Sequence, residues 1–152
     1  MQRKSLCVLL TMLIACAFTS ARTVPRIVKV VHLKNQTGLI GPITLYTPQK
    51  AGLFRLSSFM VTSVGNGETS TVCDVFGFTD SVGPGTAVGP NVCLNLENTG
   101  NITQEVTVVE SVAGASITLT TTAGPFFPIT GGVYNVDVIV EELPEVPEGE
   151  GW

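Results

Sequence analysis

Side chains able to do covalent, acid–base or metal chemistry are few in this chain of 152 residues: four cysteines, one histidine and twelve carboxylates. A single histidine excludes any zinc site built on two of them and leaves His32 as the one candidate imidazole base. His32 stands in the run RIVKVVHLK, where a lone histidine reads as a surface or packed side chain rather than a catalyst. Ser57 and Ser58, in FRLSSFM, lack the glycine elbow that exposes a hydrolase nucleophile. Asp74, Asp80 and Glu97 are the carboxylates a strand topology could gather, as a calcium site or an acid pair, although no Asp-rich loop of ligand spacing surrounds them. Glu141 and Glu142 are neighbours in an extended run, so they point to opposite faces and cannot form a facing pair. No phosphate loop, dinucleotide fingerprint or zinc spacing occurs. The residues therefore indicate no catalytic, cofactor or metal site, and an enzyme would need Asp74, Asp80 and Glu97 to converge.

Cysteine use follows from the first segment. MQRKS carries Arg3 and Lys4, and LCVLLTMLIACAF is an apolar stretch of signal-peptide length. It is too short to span a bilayer, which takes about 20 apolar residues. Thr19 and Ala21 suit a cut before Arg22, making residues 1–21 a signal peptide. A second reading stands beside it: Leu13-Ile14-Ala15-Cys16 has the form of a bacterial lipobox, with signal 1–15 and Cys16 lipidated. Either cut removes Cys7, and cleavage before Arg22 also removes Cys16, leaving Cys73 and Cys93 as a pair in an oxidising compartment. Such a pair reads as one disulfide. Cleavage after residue 21 leaves six cations against twelve carboxylates. That balance argues against a nucleic-acid partner, whose phosphates need clustered Lys and Arg.

The elements that must position these groups are strands. Sixteen glycines, nine prolines and heavy use of Thr and Val oppose a helical bundle, and no stretch holds a helical period for three turns. Apolar, β-branched runs predict strands at 26–33, 42–47, 52–64, 70–79, 91–97, 103–112, 115–122 and 133–142, separated by Gly, Pro and Asn turn formers. In the last, Tyr134, Val136, Val138 and Val140 share a buried face. In 72–78, Val72, Phe76 and Phe78 share theirs with Asp74, an acid in an apolar set that a strand end or a backbone amide would accommodate. Cys73 and Cys93 take the opposite parity on adjacent strands, which suits a cross-strand bridge. The segment DSVGPGTAVGPN, 80–91, reads as a mobile glycine-rich loop. About eight short strands without helices indicate an all-β antiparallel sandwich of jelly-roll type over 22–143, with an acidic Pro/Gly tail at 144–152. Phe126 and Phe127, between two prolines, either plug an end of the sandwich or form a contact surface. Asn35-Gln-Thr and Asn101-Ile-Thr match the glycosylation sequon.

Two stretches extend this reading. ITLYTPQKAGLFRLSSFMV, a Thr-Pro turn and Gly-aromatic step before a long strand, resembles the opening of trimeric jelly rolls of the tumour-necrosis-factor and complement globular-head type. It also resembles small secreted bacterial or phage-associated β-domains. GGVYNVDVIVEEL is similar to their closing strand. The resemblance implies a domain used for binding or assembly rather than catalysis, often trimeric, and carries over no functional residue. The expectation is an exported, non-enzymatic domain, secreted or lipid-anchored to a bacterial membrane, without cofactor or metal and without membrane insertion of the mature domain. Its partner would be copies of itself or an extracellular ligand. A carbohydrate- or ligand-binding monomer is the alternative, and a hydrolase using clustered carboxylates the third reading.

Overall fold

A computed structural model describes residues 24–124 and 131–144, with the backbone alone for 88–92. The signal segment, Cys16, Phe126, Phe127 and most of the acidic tail lie outside the described residues. Eight strands follow in order: β1 (Arg26–Gln36), β2 (Ile43–Tyr46), β3 (Gly52–Val64), β4 (Thr71–Thr79), β5 (Pro84–Asn95), β6 (Ile102–Ser111), β7 (Ile117–Ala123) and β8 (Val133–Glu142). They form two four-stranded antiparallel sheets, β1-β8-β3-β6 and β2-β7-β4-β5. The chain changes sheet at every connection except β4–β5, which is the interleaving of a jelly roll.

Period-two alternation decides which side of each strand meets the other sheet. On β3, Phe54, Leu56, Ser58, Met60 and Thr62 point inward, and on β8 the expected set Tyr134, Val136, Val138 and Val140 does so. Val72, Phe76, Leu94, Ile117 and Leu119 answer them from the second sheet, all almost fully buried. Each such side chain removed from water is worth about 1.5–3 kcal/mol before chain entropy is charged against it. One end of the sandwich is closed by the β1–β2 connection. The Tyr134 hydroxyl donates to the Gly38 carbonyl at 2.7 Å, and the Ile40 amide donates to Thr121 Oγ1 at 2.7 Å. Asn35 enters that connection with φ of 57°, a left-handed conformation asparagine tolerates.

The expected loop at 80–91 is corrected. Only Asp80–Gly83 turns: Asp80 Oδ1 accepts the amides of Val82 and Gly83, and the Asp80 amide donates to the Gly83 carbonyl. β5 starts at Pro84 and pairs with β4 from Thr79↔Pro84 to Val75↔Val88, with a bulge before Cys73↔Cys93. Proline is admissible there because β5 is an edge strand and Pro84 is its first residue. Gly85 is required by packing, since a Cβ there would meet the Phe78 ring at 2.7 Å. Pro84 and Gly85, which carry loop signals, are edge-strand and packing residues.

Cys73 and Cys93 are directly opposed on β4 and β5 and are joined by a disulfide. Bridging residues 20 apart constrains the unfolded chain by roughly 3 kcal/mol. Replacing both cysteines by serine should lower stability by about that amount in denaturant titrations under non-reducing conditions, and the difference should vanish in reductant. Equal midpoints without reductant would contradict it. Tyr134→Phe should cost about 1 kcal/mol by the same measurement, because it leaves the Gly38 carbonyl without its donor; an unchanged midpoint would show that this end closes without the hydroxyl.

Candidate functional site

The three carboxylates that an enzyme would need to converge do not. Asp74 lies inside the sandwich, 1% exposed, in the middle of β4. Asp80 is in the turn after β4, while Glu97 follows β5 at the opposite end of that hairpin. The reason is the antiparallel hairpin itself, which sends the end of β4 and the end of β5 in opposite directions. Among the described residues no group of three or more His, Cys, Asp or Glu could hold a metal ion. Asp74 meets a different partner: Glu105 of β6, 8% exposed, faces it from the other sheet, and the Ser58 hydroxyl donates to Asp74 Oδ2. Burial, then the neighbouring Asp74, pushes the Glu105 carboxyl up to about 7. Sequence reading noticed Asp74 as an anomaly but had no signal for Glu105, since nothing local says which parity of β6 points inward.

The other flagged groups are surface pairs. His32 Nδ1 lies 2.6 Å from Asp137 Oδ1 across β1 and β8. Arg55 donates to Glu141 at 2.6 Å, and that bond holds the Glu141 carboxyl below its ordinary range and Arg55 above its own. Arg26 donates to Glu142 at 2.6 Å. Ser57 points outward, with Ile139 and Val106 beside it. Asn35 is exposed, whereas Asn101 is half-buried and its side-chain amide donates to the Asn95 carbonyl. A cleft of about 730 Å³ lies between the start of β1 and the end of β8, lined by Val24, Pro25, Arg26, Lys50, Leu143 and Pro144 among others. Among the described residues no aromatic lines it, so these supply no stacking surface for a sugar.

The two outer faces of the sandwich differ sharply. Eleven large apolar residues are exposed among those described. Val24, Leu39 and Val82 sit in connections; the other eight all stand on strands of the β1-β8-β3-β6 sheet. Register aligns them into rows across its outer face. Val30, Ile139, Ser57 and Val106 form one row, and Ile27, Glu141, Arg55 and Val108 the next. On the other sheet the corresponding row is Thr44, Thr118, Gly77 and Thr86, with Gly77 leaving room for the Thr118 hydroxyl. That face is hydroxylated and hydrates readily; the first is apolar and does not.

Strand β6 carries the contrast to its limit. Its sequence ITQEVTVVES turns Ile102, Val106 and Val108 outward and Thr103, Glu105 and Thr107 inward. Most of its apolar side chains point away from the core.

No protein-family model and no curated protein matches the sequence. Solved structures do: the globular domain of zebrafish complement 1qA protein superposes with a TM-score of 0.50 at 12% identity, over 76% of this chain and 96% of that one. The fold is a jelly roll similar to that of this globular domain. A mutant VP2 protein of infectious bursal disease virus superposes with a TM-score of only 0.22, at 16% identity over 82% of this chain and 41% of that one, too loosely to bear on the fold. At these identities the globular-head likeness concerns architecture alone. It bears out the jelly roll expected from the strand pattern and leaves function to the site.

Proposed function

We propose that this chain is an exported, non-enzymatic jelly-roll domain that assembles with copies of itself through the outer face of β1-β8-β3-β6. The observation that carries the reading is the inversion of β6. An edge strand of a water-soluble monomer keeps most of its large apolar side chains on the inner face. β6 does the reverse, with Val106 64% exposed and Glu105 8% exposed. Such a pattern suits a strand whose outer face is also covered.

The size and charge of the face favour a second copy as its cover. Four strands about 4.8 Å apart and roughly nine residues long at about 3.3 Å each present about 600 Å², near the roughly 800 Å² per partner of a standard interface. Two charge pairs on it are internal, Arg55 with Glu141 and His32 with Asp137. Lys34 on β1 and Glu110 on β6 are further exposed charges at its two edges, one of each sign, so the face does not select a partner of a single charge. A closed ring of three, as the globular-head resemblance implies, would cover the face on every copy. Export, with Cys16 lipidation as the membrane-anchored variant, fits the disulfide, which belongs to oxidising compartments.

The test is the native mass of the processed chain by size-exclusion chromatography with light scattering at micromolar concentration. A discrete oligomer is expected, and Val106→Lys should reduce it to monomer while the single-chain denaturation midpoint changes by less than about 0.5 kcal/mol. A wild-type monomer at these concentrations would sink the reading. It would leave ligand binding by a monomer as the alternative, with the Lys50 cleft as the place to look.

A further inference from the structure

We propose that Asp74 and Glu105 hold one proton between them inside the sandwich, and that losing it unlatches edge strand β6 from the second sheet. The pair joins the two sheets: Asp74 stands on β4 and Glu105 on β6, both more than nine-tenths buried. Ser58 on β3 donates a hydrogen bond to Asp74 Oδ2, which leaves Asp74 Oδ1 and Glu105 Oε2 buried without a hydrogen-bond partner. Two carboxylates facing each other can only accept, so as two anions they keep these orphan acceptors and repel across the buried gap. One proton makes one carboxyl a donor to the other, satisfies both oxygens and halves the charge.

No other group nearby can take the proton's place. β3 presents Leu56, Ser58 and Met60 to the interior, β8 presents Val136 and Val138, and β7 presents Leu119 and Thr121. β4 adds Val72 and Phe76, β6 adds Thr103 and Thr107, and β5 has no ionisable residue except the disulfide-bonded Cys93. Tyr134 also points inward, with its hydroxyl committed to the Gly38 carbonyl, and Tyr46 packs on Phe54 elsewhere in the core. Arg26, Lys29, Lys34 and Arg55 stand on exposed or outward positions of β1 and β3. Among the described residues no cation faces the pair.

β6 is the element this proton would hold. It is an edge strand bonded to β3 alone, and Val109 is its only large apolar side chain buried inward. The other edge of the same sheet, β1, packs Val28, Val31 and Leu33 against the core and has no inward acid. Because the folded-state affinity of Glu105 for its proton is raised, the stabilisation is complete below the ordinary carboxyl range and is lost as pH rises through about 7. Unlatching at alkaline pH would displace Val106 and Val108 and disperse the assembly; that consequence rests on the self-association reading.

Hydrogen exchange followed by mass spectrometry on the processed chain tests the latch, with rates divided by the intrinsic exchange rate at each pH. A displacement from 4.5 to about 7 predicts that β6 protection falls by up to about 75-fold between pH 5 and pH 9, with β1 changing by no more than a few-fold. Glu105→Gln should keep β6 protected at both pH values, and Asp74→Asn serves as the second variant if the first does not fold. Equal β6 protection at pH 5 and pH 9 would overturn the proposal, as would an unchanged pH profile in a folded variant. Protection of wild-type β6 by calcium at pH 9 would overturn it too, by showing that the pair holds a cation. The native mass of the same samples separates the two readings. A chain that is monomeric at every pH removes self-association and leaves the β6 exchange to judge the latch.

Discussion

Exclusion of water from the gap between the two sheets is the constraint on which the rest depends. Neither sheet can form alone, because the chain changes sheet at six of its seven connections and only β4–β5 is a local hairpin. The ladders that build β1-β8-β3-β6 therefore join residues far apart in sequence, such as Val30 with Ile139 and Phe54 with Val109. Their loop-closure entropy is repaid only when Phe54, Leu56 and Met60 reach Val72, Phe76 and Leu119 across the gap. The disulfide strengthens the one connection that is already local, and so contributes through the unfolded chain rather than by defining the topology.

Given that core, the outer faces are free to differ, and they do. The second sheet offers threonine hydroxyls to water, and its middle row is flattened by Gly77. The first offers valine and isoleucine, with Arg55–Glu141 and His32–Asp137 as internal charge pairs among them. A domain under selection only to fold and stay soluble would have no cause for this asymmetry, since surface valines gain nothing from water. The cost of leaving them out is removed only by another surface placed over them.

How much of this the sequence discloses can be traced residue by residue. The alternation of Tyr134, Val136, Val138 and Val140 names its own buried face, and seven of eight strands both begin and end within three residues of their expected positions. Cys73 and Cys93 were paired by count and parity, both local properties. The start of β5 was missed because Gly85 and Pro84 carry the same local signature in a loop as in an edge strand, and only the neighbouring Phe78 ring distinguishes them. Asp74 was visible as an exception, yet its partner was not. Glu105 lies thirty-one positions away on another sheet, and β6 alternates cleanly under either parity. Alternation reveals that a strand has two faces; only long-range pairing reveals which one is inside.

The inversion of β6 and the buried acid pair are two sides of one constraint on register. A shift by one residue would carry Ile102, Val106 and Val108 into the core and Glu105 into water, and with them Gln104 and Glu110 inward and Val109 outward. What opposes it begins in the preceding turn. Thr62 donates from its amide to the Asn101 carbonyl and from its hydroxyl to the Asn95 carbonyl, while the Gly100 amide donates back to Thr62. These bonds fix where β6 starts against β3, and Glu105 is then carried inward opposite Asp74 whatever its own preference. Inside, the pair is tolerable as long as one proton is shared and Ser58 keeps its bond; outside, the valines are tolerable as long as they are covered. Each condition makes the same register the favourable one, so an edge strand that would be frustrated in a lone molecule becomes consistent in an assembled and protonated one.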